Sequence, residues 1–444
     1  MTVSQTQEQP ETISLRTAFW YWLKLGFISF GGPAGQIAMM HIELVEKRRW
    51  ISENRFLHAL NYCMLLPGPE ATQLAVYIGW LMHKTAGGLL AGILFIFPSL
   101  LMLIGLSWLY VLFGQHAIVT GILYGIKPAI VAIVLGAAWR IAQRSLKTRT
   151  LMVISFCALI AITLLQVPFP AIIVAAAVAG ILFRHQCSPI SANPHAAGNT
   201  QQHAPALIDD HTPTPPHARF SWKGLFRFAA AGLLTGSAVW LTLFLTLGLS
   251  NPLTQMGWFF TKTALLSFGG AYSVLPYVFQ AAVGDFHWLT TPQMMDGLAL
   301  GETTPGPLIM VVAFVGFIGG WSTQAMGAGA TAMAGIAGAT VACFFTFLPS
   351  FVFILAGGPL VESSRHQFHL TAPLRAISAA VVGVIISLAF FFANHVFFNP
   401  LHQPDLPAIG LTAAACIAIF RYKTGTVILL LIFSFLGFLI RQLT

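Results

Sequence analysis

The chain has 444 residues, of which 57% are hydrophobic and only 8% charged, with a formal net charge of +9 and a mean hydropathy of +0.78. Because a soluble domain carries about 25% charged residues, most of this surface cannot face water, and a soluble fold is excluded. The excess of Lys and Arg does not require a nucleic acid, since membrane proteins hold these residues in cytoplasmic loops. We expect an all-α polytopic membrane protein in contact with a lipid bilayer.

The N-terminal tail, residues 1–16, is polar and lacks the basic region and cleavage site of a signal peptide. Membrane insertion should therefore start from the first apolar element. A bilayer is spanned by about 20 apolar residues, and nine apolar stretches approach or exceed this length. They are residues 86–113, 117–139, 151–167, 169–183, 228–249, 331–356, 376–398, 406–420 and 425–440.

The two halves of the chain align at an offset of 238 residues, without a gap across the motif region. At this offset Ser29-Phe30-Gly31-Gly32 falls on Ser267-Phe268-Gly269-Gly270, and Pro67-Gly68-Pro69 falls on Pro305-Gly306-Pro307. Further on, Phe97-Pro98-Ser99 pairs with Leu348-Pro349-Ser350 after an insertion in the second copy. The chain is therefore interpreted as two copies of one unit.

The segment between the copies is polar and rich in Pro and His, which is typical of a disordered linker. Its five histidines are irregularly spaced, so a plain linker is favoured over a metal site. The scattered cysteines are interpreted as buried small apolar residues; they are Cys63, Cys157, Cys187, Cys343 and Cys416. The expected regions are a tail (1–16), a first repeat (17–184), a cytoplasmic linker (185–227), an extra span (228–249) and a second repeat (250–444).

Basic residues mark the cytoplasmic ends of membrane spans, and their positions reverse between the halves. The first half holds them at 47–55, 83–84 and 140–149, whereas the second-half counterparts at 284–288, 319–329 and 399–407 contain no Lys or Arg. The sequence therefore predicts two repeats of inverted topology. Inversion requires 17–46, 56–82, 253–283 and 294–318 to be broken, re-entrant elements, which gives about thirteen apolar segments.

The breaks in these elements predict an anion site near the middle of the membrane. Irregular backbone is tolerated there only beside protein or a water-filled cavity. In each Pro-Gly-Pro turn, the first Pro ends one half-helix and the second suits the first turn of the next. Helix N-termini bind anions, and four of them supply about +2 charges. The alternative is that the breaks are packing kinks. The candidate binding residues are Ser29, Gly31, Gly32, Pro33, Pro67, Gly68, Pro69, Gln73, Ser267, Gly269, Gly270, Thr303, Thr304, Pro305, Gly306 and Pro307, with Thr72 beside them.

Few charged residues lie within the broken elements, and a charge at this depth is a functional hypothesis by default. Lys24 and Lys262 are equivalent in the alignment and either extend to the membrane interface or add positive potential to the pathway. Glu302 and Glu70 lie beside the Pro-Gly-Pro turns without aligning with each other. Glu302 either carries a proton or is a buried, protonated helix cap. Catalytic residues, metals and cofactors are not expected.

The blocks "LKLGFISFGGPAGQ", "NYCMLLPGPEATQLA", "TALLSFGGAYSVLPYV" and "GETTPGPLIM" resemble the two domains of the chromate transporter family, bidomain type. The resemblance covers both halves and departs from the motif at Ala271, where the first copy has Pro33. It implies export of chromate through the inner membrane of a bacterium, with chromate resistance and sulfate as an isosteric competitor. A sulfate or other oxyanion transporter, and a membrane-embedded enzyme acting on lipid phosphates, are the alternatives. Proton coupling and a homodimer remain open.

Overall fold

The computed structural model describes residues 13–30, 32–187, 206–210, 212–213, 215–268, 270–363, 371–398 and 403–443. Their regular secondary structure is helical, apart from isolated β-bridges between Ile51 and Ile208 and between Phe398 and Pro404. The all-α prediction is therefore confirmed. Six described helices are long and apolar enough to cross a membrane.

The described residues of the first half form eight helices. They are α1 (Leu15–Ile28), α2 (Gly32–His41, extended by a π-turn Ile42–Lys47), α3 (Glu53–Cys63), α4 (Glu70–Phe113), α5 (Ala117–Ser145), α6 (Arg149–Thr163), α7 (Phe169–Leu182) and the short α8 (Arg184–Cys187).

In the remainder, the part of the chain that the structure describes forms nine helices. They are α9 (Trp222–Leu247), α10 (Pro252–Leu266), α11 (Leu275–Phe279, extended by a π-turn Gln280–Asp285), α12 (Thr291–Thr303), α13 (Val311–Ser322), α14 (Thr331–Ser363), α15 (Thr371–Phe397), α16 (Leu406–Phe420) and α17 (Thr426–Leu443).

Polar residues at the loop ends begin several helices. The Ser52 hydroxyl accepts from the Arg55 N–H at 3.3 Å to begin α3. Thr290 and Gln293 form a reciprocal capping box that begins α12. Such side chains satisfy N–H groups that have no partner within the helix. The two helices that lead into the Pro-Gly-Pro turns are thus started by local sequence.

α4 consists of two helices joined by a sharp reversal. His83 and Lys84 have non-helical backbone angles, and Lys84 has a φ of 57°. Residues 70–82 and 85–113 then pack against each other through Gly79 and Gly87, where a Cβ would lie within 2.4 Å of the facing carbonyl oxygen. The first Pro-Gly-Pro turn is therefore followed by a short half-helix and not by a full span.

The long proline-containing helices 85–113 and α14 pack side by side and run antiparallel. A Cβ at Gly92 would lie 2.4 Å from the Phe351 ring, and one at Gly88 would lie 3.3 Å from the Leu355 side chain. The residue numbers rise on one helix as they fall on the other, which fixes the opposite directions. Around this pair, α5 packs against α15, α16 and α17, and α6 and α7 pack on α15.

The prediction of a disordered linker is wrong for its C-terminal end. Residues 206–218, where described, lie against the first half and are called the strap. The Ile208 N–H donates to the Trp50 carbonyl at 3.1 Å. Asp210 accepts from the Ser52 hydroxyl and the Asn54 amide, each at 2.6 Å. An apolar side chain and a carboxylate in an otherwise polar segment supply the contacts that the overall composition concealed. Residues 188–205 lie outside the described part of the chain.

Candidate functional site

The Pro-Gly-Pro turn of each half is bonded to the Ser-Phe-Gly-Gly break of the other half. The Gly68 N–H donates to the Ser267 carbonyl at 2.8 Å, and the Gly306 N–H donates to the Ser29 carbonyl at 2.9 Å. We call the region formed by these two turns and two breaks the central crossing. It brings together residues that are more than 190 positions apart in sequence.

Glycine is required at all four irregular points of the crossing. Gly32, Gly68, Gly270 and Gly306 have φ values of 69°, 126°, 95° and 104°, a region that side chains with a Cβ rarely adopt. A Cβ at Gly68 would lie 2.3 Å from the Ser350 Oγ, and one at Gly306 would lie 2.6 Å from the Ser99 Cβ. Each turn is thus also in close contact with the opposite half's proline-containing helix.

Open space lies beside the other two glycines. A Cβ added at Gly32 or Gly270 meets no described atom within 4 Å, although Gly270 itself is buried. A ligand could approach the backbone closely at these two points. Gly31 and Gly269, the other glycines of the two motifs, lie outside the described residues.

Six buried polar atoms around the crossing have no hydrogen-bond partner in the described part of the chain. They are the hydroxyl oxygens of Ser29, Thr72, Ser99 and Ser267 and the amide oxygens of Gln36 and Gln73. An unpaired buried polar group costs about 1–3 kcal/mol, so this cluster favours a polar occupant. The four hydroxyls can donate to an anion, whereas the two amide oxygens need a donor such as water.

Gln36 links both halves and was missed by the sequence reasoning. Its side-chain amide donates to the Ser29 carbonyl at 3.2 Å and to the Gly306 carbonyl. Ser99 and Ser350 were aligned in the sequence but not recognised as neighbours of the turns. A glutamine in an apolar stretch and a Pro-Ser pair in each half are the signals that could have identified these residues.

The candidate threonines of the second half are bonded within their own helix. Thr303 donates its hydroxyl to the Leu300 carbonyl at 2.9 Å, and Thr304 donates to the Gly301 carbonyl at 3.1 Å. They help end α12 before the turn. The Gln73 amide, similarly, donates to the Pro67 carbonyl at 2.7 Å and braces the first turn.

The two candidate acids occupy different positions. Glu302, just before the second turn, accepts from the Tyr272 hydroxyl at 2.5 Å and interacts electrostatically with Arg140. Glu70 is the first residue of α4, after the first turn, and interacts electrostatically with Arg144. Both arginines lie near the C-terminal end of α5, so positive charge is present on the side of the crossing that the acids face.

The two candidate lysines lie on α1 and α10, the helices that lead into the two breaks. Lys24 is exposed on α1, and the Lys262 Nζ lies 5.8 Å from the centre of the Trp258 ring on α10. The Lys262 position is that of a cation resting on an aromatic face.

The four half-helix starts expected from sequence are not equivalent. After the first turn α4 begins at once at Glu70, and α2 begins at Gly32. In the second half, 3₁₀ turns at Leu308–Met310 and Ala271–Ser273 come before α13 and α11. The N–H groups of Gly68 and Gly306 are already bonded to carbonyls, so the N–H donors that remain for a ligand belong to the first turns of the helices that follow.

The described residues contain no group of three His, Cys, Asp or Glu side chains arranged to hold a metal ion. Among the cysteines, Cys63 and Cys343 are buried, but Cys157 is exposed on α6, so the prediction that it is buried is wrong. A cysteine on the outer side of an apolar helix needs no buried position, since it can face lipid as a small apolar residue.

The chromate transporter family model matches residues 16–181 and 254–438. The chain belongs to the chromate transporter family. Its relatives include the chromate transport protein of Pseudomonas aeruginosa, 32% identical over 99% of this chain and 95% of that protein. The chromate transport protein of Cupriavidus metallidurans is 28% identical over 93% of this chain and 89% of that protein. The probable chromate transport protein of Synechococcus elongatus is 26% identical over 90% of this chain and 89% of that protein. No solved structure matches this member of the family.

Proposed function

We propose that this protein is a secondary transporter that exports chromate across a bacterial inner membrane and so confers chromate resistance. The observation that carries the proposal is the central crossing, where two broken helices from each half place unpaired hydroxyls beside open space. Family membership supports chromate as the substrate. Sulfate, which is also a tetrahedral dianion, is the expected competitor, because hydroxyl and N–H donors recognise charge and shape.

The repeats are proposed to be inverted, with the basic loops of the first half in the cytoplasm. Two observations support inversion. The equivalent helices 85–113 and α14 run antiparallel, and the bonds Gly68–Ser267 and Gly306–Ser29 are reciprocal. In many secondary transporters, inverted repeats place the substrate site where broken helices meet near the middle of the membrane.

Export is the direction that the membrane potential favours. A potential that is negative inside is worth about 2.3 kcal/mol per charge per 100 mV, hence about 4.6 kcal/mol for a dianion that leaves. Arg140 and Arg144 lie near the C-terminal end of α5, which this topology places in the cytoplasm. Their charge would concentrate anions on the side from which export begins. Glu302 is proposed to carry a proton during the cycle.

The test is chromate flux in proteoliposomes under an imposed potential. We expect flux out of the compartment equivalent to the cytoplasm to increase as that compartment becomes more negative, and excess sulfate to inhibit it. The Gly68→Val and Gly306→Val variants should each bind chromate at least about tenfold more weakly, since 1.4 kcal/mol is a factor of ten. Normal affinity in both folded variants would place the anion site elsewhere.

The topology is tested separately by cysteine labelling. A cysteine placed in residues 285–291 should react with an impermeant reagent from the periplasm, and one in residues 51–54 only from the cytoplasm. Reaction of both from one side would exclude inverted repeats without affecting the substrate assignment.

A further inference from the structure

A buried polar cluster joins the first hairpin, which is α3 and residues 70–82 on either side of the first Pro-Gly-Pro turn, to α14, the long helix of the second half. The carboxyl of Glu362, at the end of α14, accepts from the Tyr77 hydroxyl at 2.5 Å. Its other oxygen lies 3.9 Å from the Arg55 guanidinium, and the Arg55 and Glu362 side chains are only 6% and 3% exposed. Arg55 lies on α3, and Tyr77 on the half-helix after the first turn.

A second cluster joins the second hairpin, which is α12 and α13 on either side of the second Pro-Gly-Pro turn, to helix 85–113, the long helix of the first half. Asp296, on α12, accepts from the Tyr110 hydroxyl at 2.9 Å. The Lys127 Nζ lies 3.4 Å from the other carboxyl oxygen, and the Asp296 side chain is 5% exposed. Tyr110 lies near the end of helix 85–113, and Lys127 lies on α5.

The two clusters have the same construction and lie at opposite ends of the molecule. Each contains one carboxylate, one tyrosine and one basic side chain. Each joins the hairpin of one half to the proline-containing helix of the other half. Tyr110 follows Ser99 by 11 residues and Glu362 follows Ser350 by 12. Because the two helices are antiparallel, these two steps of nearly equal length run in opposite directions. At 1.5 Å per residue, each cluster lies about 17 Å from the central crossing.

We propose that the two clusters are the two gates of the transport cycle, a proposal that rests on the proposed transport function. Access to the crossing from one end requires the hairpin at that end to separate from the facing long helix. The cluster at that end must then break while the other stays closed. The hydroxyls of the crossing are fully buried and both clusters are formed, so the structure corresponds to an occluded state.

Charged groups suit this role better than an apolar contact. In the closed state the carboxylate is paired with a tyrosine hydroxyl and a basic side chain. In the open state water reaches the same groups and hydrates them, so each charge is satisfied in both arrangements. Breaking such a contact without admitting water would leave a buried unpaired charge, which is strongly unfavourable. The clusters thus favour two discrete states, open and closed, over intermediates.

The experiment measures from which side a cysteine at the crossing can be reached. The reporter is Ser267→Cys in a chain whose five native cysteines are replaced, labelled with an impermeant thiol reagent in right-side-out and inside-out vesicles. Tyr110→Phe and Asp296→Asn should each speed labelling from the periplasmic side about tenfold. Tyr77→Phe and Glu362→Gln should do the same from the cytoplasmic side only.

Tyr124→Phe is the matched control, because it removes a Tyr–carboxylate hydrogen bond, to Asp405 at 2.7 Å, outside both clusters. It should leave both labelling rates unchanged. Size-exclusion chromatography identifies misfolded variants by their loss of monodispersity. If a carboxylate variant misfolds, the tyrosine substitutions, which remove only one hydroxyl, still provide the test. The proposal that the clusters are gates would be overturned if variants of both clusters were labelled faster from the same side. It would also be overturned if folded variants showed no change in labelling rate. Since no chromate is used, failure of the substrate assignment would appear only in the flux assay.

Discussion

The two Pro-Gly-Pro turns share a backbone and differ in the side chains around them. Both glycines have φ above 100°, and both donate to the serine carbonyl of the opposite break. Polar side chains follow the first turn, where Thr72 and Gln73 lie in the half-helix after Pro69. Around the second turn they come before it, at Glu302, Thr303 and Thr304, and the residues that follow are Leu308, Ile309 and Met310.

This difference separates the residues that shape the backbone of the turns from the residues that supply polar side chains. The backbone needs the same proline and glycine positions in both halves, because the same irregular geometry is built twice. The substrate and any coupling ion need each side chain only once, so the two copies can hold different polar groups. Substitutions of the shared glycines should therefore have parallel effects, and substitutions of the polar residues should not.

The largest effect is expected from alanine at the turn glycines. Positive φ costs about 1–3 kcal/mol for a residue with a Cβ, and both positions are crowded. At Gly306 the obstacle is the Ser99 Cβ at 2.6 Å, which the backbone fixes; at Gly68 it is the side-chain ends of Ser350 and Gln73, which can rotate. Gly306→Ala should lower chromate affinity more than tenfold, and Gly68→Ala less. Equilibrium binding to purified protein measures both.

A second substitution tests whether crowding is the cause. Measured relative to Ser99→Gly alone, which itself removes a candidate hydroxyl donor, Gly306→Ala should recover part of the affinity that it loses in the native chain, and Gly68→Ala should recover none. Equal recovery in both backgrounds, or none in either, would show that the two turns are not limited by their contacts with the long helices.

The next effect concerns Gln36, whose aligned position in the second half is Val274. Gln36→Val removes the donor shared by the Ser29 and Gly306 carbonyls, and an unsatisfied buried acceptor costs about 1–3 kcal/mol. We expect a clear loss of thermal stability together with weaker chromate binding. Gln73→Val, which copies Val311, should cost less, because the Gln73 amide donates to one backbone carbonyl, that of Pro67, and its contact with the Ser350 hydroxyl is long, at 3.4 Å. Equal losses of melting temperature would contradict a bridging role for Gln36.

The positions of the breaks were predictable from sequence, and their partners were not. Proline and glycine restrict the backbone locally, so the turns at 67–69 and 305–307 and the break at Gly32 follow from a few letters. The bond between Gly68 and Ser267 joins residues that are far apart in sequence. It forms because the two halves pack together, and no local pattern encodes that packing. The same holds for Gln36, for the Tyr110–Asp296 contact and for the docked strap.

A smaller effect should separate the two acids beside the turns. If Glu302 carries a proton, Glu302→Gln should keep chromate binding but flatten the dependence of flux on pH, because the amide cannot titrate. Glu70→Gln should leave the slope of that dependence unchanged. Flux measured between pH 6 and 8 in proteoliposomes decides the matter, and an unchanged profile in Glu302→Gln would return that residue to a structural role with Tyr272.

The smallest expected effect distinguishes the two hairpins, because the strap lies on the first one. His217 in the strap lies 3.1 Å from the Trp80 carbonyl, to which its neutral ring can donate from Nε2. Burial lowers the pKa of His217 below its ordinary value near 6.5, so the docked strap binds fewer protons than the free one. Docking should therefore be strongest above about pH 6.5 and weaken as the pH falls through the lowered pKa. Hydrogen exchange in residues 206–218, corrected for its intrinsic pH dependence, should be about two- to fivefold faster at pH 5.5 than at pH 7.5 by this linkage. The loop at 284–292 should show no such change, and His217→Gln, which keeps a donor without titrating, should remove it from the strap. A pH effect that persists in this variant would assign the weakening to another group.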